Sequence, residues 1–298
     1  MPHYIRFAAS AAVLAGLIAL SAPSAQAAPT PAADAFSIGA IKAYSLVDAV
    51  FVLPNDGKIF GGNAGSAGVT QVLSAAGAPT DTVTLGVDAL LLKDGKHIVL
   101  IDTGNGAKAG GVLQDSLAKT GIAADVVTDV LITHAHPDHI GGLVTADGAL
   151  AFPHATIRMS APEWASLQSQ TDNAALVKVI APQVKTFALG AAVLPGIRSV
   201  DIKGHTPGHS GYEISSGKAR LLDIGDTAHS SIVSLTEPDW TMGFDGDKAE
   251  AAQSRRAELT KLAKSQERIF APHFPFPGVG TIKADGDHFA WAPDASVN

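Results

Sequence analysis

The chain has 298 residues, of which 46% are hydrophobic, 16% charged and 6% aromatic, with a mean hydropathy of +0.21. That is too apolar for a disordered chain, and the length suits one large domain or two small ones. A balance of 21 basic against 28 acidic residues, net −7, lacks the footprint of a nucleic-acid partner. The absence of cysteine excludes disulfides, thiolate zinc sites, iron–sulfur clusters and cysteine nucleophiles, so any metal must be held by His, Asp or Glu.

The first segment has Arg6, an apolar run from Phe7 to Leu20, and the small-residue pattern Ala25-Gln26-Ala27. It reads as a secretory signal peptide cleaved after Ala27, which implies a periplasmic or secreted protein. The apolar run falls short of the roughly 20 residues a spanning helix needs, so no membrane span is expected after cleavage. Residues 28–35 read as a Pro/Ala linker, with order expected from near Phe36. Residues 36–298 read as a single domain, without internal repeats.

β-Rich runs follow at Ala43 to Val52, Thr82 to Leu92 and His97 to Ile101, the last two joined by a hairpin turn around Asp94-Gly95. A helix is predicted over Gly111 to Lys119, a strand over Val126 to Thr133, and another over Thr156 to Met159. The next helix opens at Ser160, with Pro162 in its first turn and Glu163 completing a capping box. Strands at Val193 to Asp201, Gly211 to Ser215 and Ala219 to Ile224 precede a helix from about Asp247 to Lys264. In that helix Ala251, Leu259 and Leu262 form an apolar stripe, while Arg255, Arg256 and Glu258 fall on the wetter side. This order predicts an α+β sandwich of two sheets covered by helices.

The strongest chemical signal is Thr133-His134-Ala135-His136-Pro137-Asp138-His139 at the end of a buried strand. In extended backbone, residues i and i+2 point the same way, so His134 and His136 can converge on one ion. A turn into helix after them would swing Asp138 and His139 toward a second point. Further donors stand at Gly204-His205-Thr206-Pro207-Gly208-His209, at Asp223-Ile224-Gly225-Asp226 and at Ala271-Pro272-His273, each at the end of a strand or in a tight turn.

This set resembles the metallo-β-lactamase superfamily, and within it an exported branch that includes methyl parathion hydrolase and dihydrocoumarin hydrolase. The residues that carry the resemblance are HAHPDHIGGL at 134–143, GHTPGHSGY at 204–212, GDTAHSSIV at 225–233, FDGDKAEAAQSRR at 244–256 and APHFPFPGVG at 271–280. The resemblance implies a four-layer αββα sandwich with two divalent metal ions, zinc foremost, though the donor set also tolerates Mn, Co or Fe. It implies one ion on His134, His136 and His209, a second on Asp138, His139 and His273, and Asp226 bridging them, with His205 left as a structural residue of its loop.

Two such ions, two aspartates and a bridging hydroxide leave about +1 in the site, suited to the oxyanion formed when a neutral ester is attacked. The expected activity is hydrolysis of a lactone, an aryl ester or a phosphotriester; a glyoxalase II-like thioester hydrolase and a non-catalytic exported metal-binding protein are the alternatives. Asp102, after an apolar strand, reads as the acceptor of a hydrogen bond from a ligating imidazole, or as an Asx-turn residue. His229 is expected on the rim, either acting beside Asp226 and Asp138 on a leaving group or merely exposed. Trp164, Phe274 and Phe276 are candidates for an apolar substrate wall or for packing, and Trp240 and Trp291 read as packing residues. His97, His154 and His288 read as surface or loop histidines. Relatives with these motifs often form homodimers, which makes a homodimer a further expectation.

Overall fold

A computed structural model describes residues 28–295; the expected signal peptide lies outside them. The first half of the chain forms a seven-stranded sheet whose neighbours follow sequence order: β1 (Ala33–Ile38), β2 (Ile41–Pro54), β3 (Thr82–Asp94), β4 (His97–Ile101), β5 (Asp129–Leu131), β6 (Thr156–Ser160) and β7 (Val184–Phe187). A second seven-stranded sheet runs from β8 (Ala192–Leu194) through β9 (Ile197–Asp201), β10 (Ser210–Ser216), β11 (Ala219–Asp223), β12 (Ile269–Phe270) and β13 (Val279–Asp285) to β14 (His288–Pro293). The helices are α1 (Gly65–Ala75), α2 (Leu113–Lys119), α3 (Pro137–Ile140), α4 (Ala161–Ser169), α5 (Ala174–Ile180), α6 (Val233–Thr236) and α7 (Lys248–Ser265).

Period-2 alternation within the strands builds the layers. On β3, Leu90 and Leu92 face a core shared with Tyr212, Ile214, Leu221 and Phe270 of the second sheet, while Ala89 and Leu91 face Leu113 and Leu117 of α2 and Leu167 of α4. With both faces buried the strand reads as a continuous apolar run rather than an alternating one. The second sheet is covered in turn by α7, whose Leu259 and Leu262 pack on Leu222, Ile269 and Ile282. The result is the expected α+β sandwich, two sheets face to face with helices outside each.

Several boundaries differ from the sequence expectation. Strand β1 begins at Ala33, inside the expected linker, because it pairs along β2 from Leu46. Strand β5 keeps only Asp129–Leu131, since residues 124–126 form a single 3-10 turn that leaves Val126 exposed. Arg255, expected on the wetter side of α7, is 1% exposed. Only half of the capping box forms: Ser160 Oγ accepts from the Glu163 N–H, but the Glu163 carboxylate turns away to serve two loops.

What the fold does for function is set by strand direction. Strands β4, β5 and β6 pair in parallel, as do β11 and β12. The carboxyl ends of parallel strands are where open α/β sheets place their ligand-binding loops. Asp102 follows β4, the His134 to His139 segment follows β5, Asp226 follows β11 and His273 follows β12.

Candidate metal centre

Past β5 the chain stays extended through His136, then enters α3 with Pro137 at its first position, where a missing N–H costs nothing. This change of backbone separates the four donors into two groups. His134 Nε2 and His136 Nδ1 stand 3.0 Å apart. Asp138 and His139 turn toward His273, which reaches in from the loop after β12; His139 Nε2 and His273 Nε2 lie 3.7 and 3.8 Å from Asp138 Oδ2.

Asp226 sits between the groups. Its Oδ1 is 3.1 Å from both His139 Nε2 and His273 Nε2, and its Oδ2 is 3.2 Å from His205 Nε2 and 3.6 Å from His134 Nε2. Each oxygen therefore faces its own cluster, the arrangement a bridging carboxylate needs.

The third imidazole of the first cluster is His205, and the expectation of His209 is corrected. His205 Nε2 lies 3.1 Å from His134 Nε2 and 3.0 Å from His136 Nδ1. His209 has no free lone pair: its Nε2 accepts from the Asp226 N–H at 3.0 Å and its Nδ1 donates to Ile202 O at 3.0 Å. Burial and the neighbouring His205 depress its pKa to about 3, consistent with a neutral ring that holds the Asp226 backbone in place.

The tautomers fit metal binding. His134 Nδ1 donates to Thr133 Oγ1 at 3.0 Å, His139 Nδ1 to Asp102 at 2.7 Å, His205 Nδ1 to Asp245 at 2.8 Å and His273 Nδ1 to Gly86 O at 2.7 Å. With that proton committed outward, each ring presents its Nε2 lone pair to the centre, the orientation seen for ligating histidines. Buried His139 Nε2 has no hydrogen-bond partner. Ligands 2.0 to 2.1 Å from a tetrahedral zinc sit about 3.4 Å from one another, and the donor separations of 3.0 to 3.8 Å bracket that value. The His/Asp donor set fits divalent metal ions.

Asp102 underpins the first loop. Its backbone is left-handed, φ 60, a conformation that costs a non-glycine residue on the order of 1 kcal/mol. In return its carboxylate accepts from the Thr133 N–H, the Thr133 hydroxyl and His139 Nδ1 at 2.7 to 2.8 Å. Glu163 joins the first loop to the His205 loop: it is 2% exposed and accepts from the Ala135 N–H, the Thr206 hydroxyl and the Gly208 N–H.

The electrostatics centre on Asp226. Burial alone would raise its pKa, but His273, His139, His134 and His205 outweigh burial and hold the carboxyl well below its usual range. Burial would lower His205, yet Asp226 and Asp245 push it up to about 9. His136, half-buried and beside His205, falls to about 4. Without metal, protons on some of these imidazoles balance the carboxylates.

A cavity of about 410 Å³ opens onto the centre, lined by Phe51, Leu53, Leu85 and Phe244 together with His136, Asp138, Asp226, His229 and His273. Its apolar wall was not legible in the sequence, and three expected wall residues lie elsewhere. Trp164 packs on the core between the first sheet and its helices. Phe274 is fully buried, edge-on to Trp291, and Phe276 is 38% exposed outside the cavity lining. His229 is on the cavity but not on an exposed rim. It is 1% exposed, stacks 5.6 Å from His273, and places Nε2 3.2 Å from Asp226 Oδ2. Burial lowers its pKa. Trp240 packs beside α1, and His154 and His288 are exposed.

A sequence profile of the Metallo-beta-lactamase superfamily matches residues 82–273, the span that holds every one of these donors. The chain belongs to that superfamily. Two curated proteins match less than half of the chain: the uncharacterized protein YobT of Bacillus subtilis strain 168, 26% identical over 138 residues (42% of this chain, 56% of that protein), and metallo-beta-lactamase domain-containing protein 1 of Xenopus laevis, 34% identical over 128 residues (43% and 46%). The chain spans about half the length of these relatives. Solved structures of the fold match more completely. AidC, described as a dizinc quorum-quenching lactonase in complex with a product, is 29% identical with a TM-score of 0.84, covering 90% of this chain and 99% of AidC. The hydrolase AbOPH is 27% identical with a TM-score of 0.79, covering 89% and 98%.

Proposed function

We propose that the protein is a dinuclear metal-dependent hydrolase of neutral esters, with lactones and carboxylic esters ahead of phosphotriesters. The observation that carries the reading is Asp226, whose two oxygens face two separate donor clusters beneath an apolar cavity. His134, His136 and His205 would hold one ion, Asp138, His139 and His273 the other, and Asp226 both. Ions so held would supply Lewis acidity, lowering the pKa of a bound water toward neutrality.

The chain's own residues do the rest. Phe51, Leu53, Leu85 and Phe244 take the apolar part of the substrate and exclude water from the reacting bond. His229, within the cavity lining, would hydrogen-bond the departing oxygen. No Lys or Arg is among the lining residues, which weighs against an anionic thioester substrate of the glyoxalase kind. The resemblance to AidC, a lactonase, supports the lactone among the esters.

The test is elemental analysis of the purified protein beside a panel of acyl lactone, aryl lactone, thioester and phosphotriester substrates. Near two metals per chain with lactone or phosphotriester turnover supports the reading; a metal-loaded protein inert toward all four, or active on the thioester alone, contradicts it. Export goes with this proposal, and N-terminal sequencing of protein from the culture medium or periplasm, beginning at Ala28, would support it.

A further inference from the structure

The segment Phe244 to Arg256 carries more than a helix. Gly204 has φ +102, and a Cβ there would lie 2.1 Å from Ala251 N, so the His205 loop is pressed against the start of α7. The Gly246 N–H donates to His205 O and the Asp247 N–H to Gly204 O. Within this contact His205 Nδ1 donates to Asp245 Oδ1 at 2.8 Å, and Asp245 Oδ2 accepts from Arg255 Nη2 at 2.9 Å. Both charged side chains are 1% exposed.

Arg255 spends three further donors on carbonyls: Nε on Thr227 O, Nη1 on Pro238 O and Trp240 O. Thr227 adjoins Asp226. One buried guanidinium therefore ties the loop of the bridging carboxylate to the carboxylate that orients His205. A buried ion pair of this kind is weak evidence of stabilisation by itself, and its placement behind a ligand is what gives it a role.

We infer that Asp245 and Arg255 are positioning residues that hold His205 with its proton on Nδ1 and its Nε2 lone pair on the first metal, in register with Asp226. The inference rests on the metal-centre reading above. Asp245→Asn tests it through the tautomer. Arg255 Nη2 demands an oxygen, so the amide must turn its NH2 toward His205 Nδ1, and the ring proton moves to Nε2 where it blocks the lone pair.

The expected result is a 10- to 100-fold weaker affinity for one of two zinc ions, the range for loss of such an orienting partner, measured by competition with a chromogenic chelator. Cobalt substitution should show the matching loss in one site's visible absorption. Unchanged zinc affinity for both ions overturns the inference, including the case where only metal-free stability falls, which would make the pair a packing element. Should Asp245→Asn not fold, imidazole nitrogen NMR of the zinc-loaded wild type decides: His205 protonated at Nδ1 and metal-bound at Nε2 supports the inference, and the reverse overturns it. A wild-type protein that takes up no zinc overturns the metal reading itself, whereas a wild type with two ions and an Asp245→Asn variant to match it overturns this inference alone.

Discussion

His205 and His209 are four residues apart in one tight turn, have the same chemistry, and do opposite things. The deciding fact is where each ring's two nitrogens are spent. His209 uses both on backbone groups, while His205 spends one on Asp245 and bares the other. His205→Ala should cost at least one metal equivalent by elemental analysis. His209→Ala should retain His205 as a donor but lose about 1 to 3 kcal/mol in denaturant unfolding, because it leaves the Asp226 N–H and the Ile202 carbonyl unpaired in a buried site. Metal loss confined to His209→Ala would reverse the assignment.

The pKa of His205 sets a second expectation. Its folded value of about 9 lies above the ordinary 6.5, so its contribution to the metal-free fold is complete below pH 6.5 and is lost as pH rises toward 9. His139 and His273 are raised in the same sense, with burial opposing and Asp226 the leading cause of the rise. The metal-free protein should therefore melt at a lower temperature at pH 9 than at pH 6.5. With metal bound, ions replace those protons and the drop should shrink; equal drops in the two forms would contradict this.

At the scale of elements, the two ligand loops are held by a side chain from a helix that contributes no ligand. Glu163, at the start of α4, accepts from the loop after β5 through Oε1 and from the loop before β10 through Oε2. Glu163→Gln keeps the shape but puts an NH2 against donors on one side. It should cost about 2 kcal/mol in denaturant unfolding and lower turnover more than it changes KM. A variant as stable and as active as wild type would show that the loops hold themselves.

This clamp also shows where the sequence was readable. The long strands were legible because Val, Leu and Ile recur in runs bounded by turns, and the His134 to His139 cluster because such spacing has few structural uses. Helix α1, GSAGVTQVLSA, carries two glycines and three Ser/Thr residues, weak helix formers, and β12 has only two residues, so neither stood out. Arg255 was misplaced because hydropathy assigns every arginine to water, whereas here four carbonyl and carboxylate partners satisfy it in the core. The cavity wall escaped notice for a related reason: Phe51, Leu53 and Leu85 sit on strands where apolar residues are expected for packing alone.

For the whole molecule, the sandwich brings donors from four separate strand ends to one edge, so the site exists only once both sheets have docked. Tyr212 of the second sheet, donating to Ile132 O beside the first loop, marks that seam. Coupling of this kind means that metal binds the folded state and stabilises it by mass action. Chelation should lower the melting temperature, and added zinc should restore it. Phe244→Ala, by contrast, should leave metal content intact while weakening turnover of substrates with apolar acyl or aryl groups, about tenfold for a lost contact of roughly 1 to 2 kcal/mol. A uniform loss across polar and apolar esters would remove Phe244 from substrate recognition.

Asp226, with one oxygen facing each donor cluster, is proposed to join two metal ions into one hydrolytic centre. The most direct measurement is metal content together with ester turnover for the wild type and Asp226→Ala. About two ions per chain and ready lactone or ester hydrolysis in the wild type, with at least one ion lost and turnover abolished in Asp226→Ala, is the expected result. Full metal content and a normal rate in the variant would contradict the account.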